Sequence, residues 1–79
     1  MQERNVEATV RRIIAETFNF PSKLITRETV ADDVDGWDSL RHTILMVRLQ
    51  KALGIAIPEE VAAEASTVGD LISRLEKLA

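Results

Sequence analysis

The sequence predicts an all-α fold: a small helical bundle with three main helices, one short helix and a long first loop. Apolar residues recur at helical spacing in three separate stretches, and no stretch alternates apolar with polar residues as a strand would. Glycine and proline punctuate the gaps between those stretches. Seventy-nine residues make one domain, residues 1–79, near the lower size limit for an unaided core, and without cysteine no disulfide can staple it. No internal repeat or low-complexity segment interrupts it.

Val6, Val10, Ile13, Ile14 and Phe18 fall on one stripe, with Arg4, Arg11 and Arg12 outside it, which predicts a first helix from about Glu3 to Thr17. Phe20-Pro21 ends it, because a residue before proline avoids helical geometry. The loop from Asn19 to Trp37 is too long to be idle unless it packs. Leu24, Ile25 and Val30 are its expected anchors, with a short turn starting at Pro21.

The second helix is expected to open at Asp38-Ser39-Leu40, run to Ala52-Leu53 and stop at Gly54, the residue that best tolerates the left-handed conformation after a helix end. At about 100° per position, Leu45, Met46, Leu49 and Leu53 share one side, and Leu40, Ile44 and Val47 share the other. The larger set faces the core. The smaller set is either a partly exposed docking stripe or a surface that the acidic loop covers. Pro58 starts a short helix with Glu59 and Glu60 at its N-terminal end and Val61 turned inward. Thr67 and Asp70 form a capping-box pattern before Val68, Leu71, Ile72, Leu75 and Leu78, the stripe of the last helix.

The net charge of −3 argues against nucleic acid as a partner. Its distribution is more informative: from Glu28 to Asp38 the chain has five acidic residues (Glu28, Asp32, Asp33, Asp35, Asp38) and no basic one. That segment is either a solvated loop or a field that draws a basic partner surface. With no charged-then-apolar leader and no long apolar run, the expectation is a cytoplasmic protein without membrane insertion.

Gly36-Trp37-Asp38-Ser39-Leu40 carries the chemistry. Ser39 sits in the first turn of a helix, where unpaired N–H groups and the helix dipole favour negative charge, so a phosphate ester on its hydroxyl would be stabilised. A simpler reading makes Asp38 or Ser39 an N-cap and nothing more. If Ser39 is an attachment point, the thiol this chain lacks comes from outside. Other chemistries fit poorly. A hydrolase using Ser39, His42 and an aspartate has helical i, i+3 spacing but no evident oxyanion hole or substrate cleft, and His42 is expected to pack against the loop or Trp37. Asp33-Val34-Asp35-Gly36 resembles part of a calcium loop, but Ala31 and His42 stand where the first and last ligands belong, so no metal site is expected. Gly36, Gly54 and Gly69 are too dispersed to cradle a phosphate.

Across nearly all 79 residues the order of elements, with Asp38-Ser39-Leu40 opening the second helix and Gly54-Ile55-Ala56-Ile57-Pro58 after it, resembles an acyl carrier protein. Peptidyl carriers look similar but usually place the serine in a Gly-Gly-His-Ser type sequence, and Asp38 before Ser39 points to the acyl type. The resemblance implies that Ser39, flanked by Asp38 and Leu40, bears covalent 4'-phosphopantetheine from coenzyme A, whose thiol holds acyl groups as thioesters. It further implies a carrier that is not itself an enzyme: a monomer served by a phosphopantetheinyl transferase, because Ser39 has no adjacent activating base, and by acyl-loading and acyl-processing enzymes. Asp35, Asp38, Leu40, Ile44 and Val47 are the expected partner-binding residues. The second helix departs from carriers of fatty acid synthesis, whose corresponding helix is rich in glutamate: it bears Arg41, Arg48 and Lys51 and no acidic residue between Ser39 and Leu53. That departure, with Trp37 and His42, suggests a discrete carrier of a specialised pathway. The alternative is a small helical adaptor whose serine is never modified.

Overall fold

A computed structural model describes residues 5–78, and among them all regular structure is helical. Helix α1 (Val6–Phe18) opens at Asn5, whose side-chain oxygen accepts the Ala8 N–H at 3.0 Å. The expected start at Glu3 and the placement of Arg4 lie outside the described residues. The helix ends one residue later than expected and by a different device. Asn19 takes the left-handed conformation (φ 52°), and its N–H and that of Phe20 both turn back to the Ala15 carbonyl. Phe20-Pro21 follows a helix that has already stopped.

The loop after α1 contains two 3-10 turns, Ser22–Leu24 and Ala31–Asp33, the first preceded by Pro21 as the sequence suggested. Of the three expected anchors only Ile25 is fully buried; Leu24 is 59% exposed and Val30 half-buried. Val34 is the second anchor. The cause is shared: Ile25 and Val34 each follow a 3-10 turn in extended backbone, which redirects the next side chain inward while the turn's own residues stay outside. Thr29 is buried too, its hydroxyl accepting the Thr26 N–H at 2.8 Å.

Backbone bonds fasten this loop to the last helix: Val68 N–H donates to Thr29 O and Gly69 N–H to Arg27 O, both at 2.8 Å. Gly69 is required there, since a Cβ would lie 2.9 Å from Arg27 O and 2.8 Å from Arg27 Cβ. The Arg27 guanidinium reaches Glu7 at 3.2 Å, Gly69 O at 3.3 Å and Ser73 Oγ at 3.1 Å, joining both outer helices.

Helix α2 (Ser39–Leu53) ends at Gly54, left-handed at φ 68°, whose N–H donates to Gln50 O. Helix α3 (Glu59–Ala63) follows Pro58; Ala62 is its buried residue, and Val61, expected to face inward, is half-buried at the edge of the core. Helix α3 packs against α4 (Val68–Leu78). In α4, Val68, Leu71, Ile72 and Leu75 are buried, while Leu78 at its end is exposed. Thr67 Oγ1 accepts the Asp70 N–H at 3.0 Å, but the Asp70 carboxylate reaches the Ser66 N–H at 3.1 Å, one residue before the expected cap. That bond, aided by Arg74, lowers the Asp70 pKa from its ordinary value of 3.8.

Helix α1 packs on α2 and α4, and α3 packs on α4. Ile14, Leu45, Leu49, Leu53, Ile72 and Leu75 form the fully buried centre, with Met46 partly buried beside them. The larger stripe of α2 therefore faces the core.

Candidate functional site

The start of α2 is built from the chain before it. Gly36 turns at φ 88°, with the Trp37 N–H donating to Val34 O at 3.3 Å and the Asp38 N–H to Gly36 O at 2.9 Å. Asp38 is then extended, and its Oδ1 accepts the Arg41 N–H at 2.8 Å, so Asp38 is the N-cap. Ser39 is the first helical residue and is exposed, its carbonyl accepting the Thr43 hydroxyl at 3.1 Å. N–H groups of this first turn have no carbonyl partner within the helix. An anion on Ser39 Oγ therefore sits at the positive end of a helix in open solvent, while the preceding Asp38 carboxylate is engaged as the cap. The residues fit a phosphate ester.

Trp37 ties this turn to α1. Its ring stacks on Phe18, centroids 4.9 Å apart, and its Nε1–H donates to His42 Nδ1 at 3.1 Å. His42 thus packs on Trp37, as the sequence suggested. Because Nδ1 accepts, the neutral ring carries its proton on Nε2, leaving no ring nitrogen able to take a proton from Ser39.

The expected partner-binding residues are all exposed, in an acidic set and an apolar set. Asp35 and Asp38 are exposed with the other three loop acids, and none of the five forms an ion pair among the described residues. Leu40, Ile44 and Val47 are 70%, 42% and 44% exposed, so the loop does not cover them. Sequence reasoning missed Glu59, which lines a surface depression with Ser39, His42 and Thr43. Its one signal was its position just after Pro58, which says nothing of what α3 faces. Among the described residues no group of three or more His, Cys, Asp or Glu side chains is arranged to hold a metal ion, and no helix is long and apolar enough to cross a membrane.

Residues 8–75 match the family described as phosphopantetheine attachment site. The chain is 35% identical to an acyl carrier protein of Porphyromonas gingivalis, over 91% of this chain and 92% of that one. It is 32% identical to the acyl carrier protein MbtL of a Mycobacterium species (strain MCS), over 91% of this chain and 81% of that one. With the meromycolate extension acyl carrier protein of Mycobacterium leprae it shares 31% identity over 96% of this chain and 66% of that one. A match that reaches into all four helices and agrees with an exposed serine on the first turn of α2 shows that the chain belongs to the phosphopantetheine attachment site family, a carrier whose cofactor is covalently bound 4'-phosphopantetheine.

Proposed function

We propose that the chain is an acyl carrier of a specialised biosynthetic pathway, with Ser39 as its attachment point. The observation that carries this reading is the position of Ser39: exposed, first in α2, immediately after the capping Asp38 and inside the matched region. When bound, the arm supplies the thiol that holds acyl groups as thioesters, which suits a sequence without cysteine. Ser39 Oγ forms the phosphoester, and the nucleotide half of coenzyme A leaves. A separate phosphopantetheinyl transferase provides the base for the hydroxyl proton, since His42 Nδ1 is occupied by Trp37.

Asp35 and Asp38 draw the basic surface of that transferase, and Leu40, Ile44 and Val47 dock acyl-loading and acyl-processing enzymes. Such contacts are weak and quickly released, because a carrier must leave each partner after its turn. The cationic second helix, with Arg41, Arg48 and Lys51, favours a specialised pathway over primary fatty acid synthesis. Two of the relatives above bear names of such carriers, MbtL and meromycolate extension. A monomer in the cytoplasm is the setting this reading implies. Intact-mass spectrometry after incubation with coenzyme A and a broad-specificity transferase tests it: the wild type gains one arm and Ser39→Ala gains none. Unchanged wild-type mass, with the transferase proven active on another carrier, overturns the attachment; an arm on Ser39→Ala overturns the site.

A further inference from the structure

The sequence has one histidine and one tryptophan, and the fold joins them. An indole N–H can only donate, so the 3.1 Å bond from Trp37 Nε1 makes His42 Nδ1 the acceptor and fixes the proton of the neutral ring on Nε2. Trp37 is itself immobilised by stacking on Phe18 at the end of α1. His42 is therefore held as a donor, on a ring whose orientation is set from outside α2.

His42 follows Ser39 by three residues, the helical spacing at which side chains are neighbours, with Cβ atoms about 5–6 Å apart. Both line one surface depression, together with Asp38, Thr43 and Glu59. The polar groups around it are nearly all committed or of the wrong kind. Asp38 and Glu59 carry carboxylates that only accept; the Thr43 hydroxyl donates to Ser39 O at 3.1 Å; the Trp37 N–H is spent on His42. His42 Nε2–H is the side-chain donor left at the rim. A phosphodiester is an anion with acceptors only, so the two carboxylates repel it and His42 is the lining side chain that matches it.

Resting on Ser39 as the attachment point, we propose that His42 is a positioning residue for the root of the arm: its Nε2–H donates to a non-bridging oxygen of the phosphodiester, and Trp37 keeps the ring in the tautomer able to do so. The first-turn N–H groups of α2 supply non-directional favour for the anion. His42 adds a direction, pulling the phosphate to the side of the helix that carries the depression and away from the exposed Leu40, Ile44 and Val47, which stay free for a partner.

A single imidazole and a single phosphodiester make the test unambiguous. In ¹⁵N-labelled protein, with intact mass confirming the state, the ring should be the Nε2–H tautomer both without and with the arm. With the arm, exchange of the Nε2 proton should slow about tenfold, as a charge-assisted hydrogen bond gives. The ³¹P resonance of the modified protein should shift in His42→Phe and return toward its wild-type position in His42→Gln, whose amide keeps a donor near the place of Nε2. An arm present by mass with ring signals unchanged from the unmodified protein overturns the assignment without touching the attachment site, and it needs no variant. A ³¹P resonance unmoved in folded His42→Phe overturns it as well. A wild type that takes no arm overturns the Ser39 reading and this one with it.

Discussion

Asp38 does two things: its carboxylate caps α2 through the Arg41 N–H, and its charge belongs to the uncompensated acidic loop. Asparagine separates the two, because it caps about as well as aspartate but carries no charge. Replacing Asp35 and Asp38 by asparagine should leave the thermal midpoint nearly unchanged and slow modification by the transferase. Raising ionic strength should narrow the gap to wild type, since screening removes an advantage the variant no longer has. A defect that salt does not alter would place the fault in the cap or the loop conformation. At this scale local contacts are legible in the sequence: the first-turn place of Ser39, the Asp38 cap and the packing of His42 on Trp37 all lie within a few residues of one another. Glu59 was illegible because its approach to Ser39 depends on how α3 is carried round, which no spacing encodes.

Helix α2 presents two apolar stripes with opposite fates. Leu45, Leu49 and Leu53 are buried; Leu40, Ile44 and Val47 are not. Ile44→Asp should therefore change stability by no more than about 0.5 kcal/mol while reducing acyl loading of the modified protein. Leu49→Ala should cost about 2–5 kcal/mol in denaturant unfolding through the cavity it leaves. Reversal of that contrast would move the docking surface to the other face. The two stripes were legible because a regular helix preserves its period over fifteen residues. The loop was not: 3-10 turns reset the phase, so Leu24 and Val30 look as apolar as Ile25 and Val34 in sequence, and only the latter pair points inward. The sequence locates the stop of α1 to within a residue, but the left-handed Asn19, not Pro21, performs it.

Across the whole molecule, the loop that presents Ser39 is held from its far end. Arg27 bonds to Glu7 on α1 and to Gly69 and Ser73 on α4, and its carbonyl takes the Gly69 N–H. The ion pair to Glu7 is exposed and contributes little; the close backbone approach at Gly69 matters more. Gly69→Ala should destabilise the domain by about 1–3 kcal/mol through overpacking against Arg27, with faster amide hydrogen exchange at Val68 and residue 69 as its local signature. Normal stability and exchange in that variant would show that the loop yields freely. The charges are laid out on the same scale: carboxylates gather before Ser39, and α2 beyond it carries only Arg41, Arg48 and Lys51. If α2 is the docking helix proposed above, an enzyme face shaped for a carrier with a glutamate-rich second helix would offer cations and meet like charge along it. In a cell that runs several carriers at once, such repulsion would insulate this one from cross-talk at encounter, before any thioester is within reach.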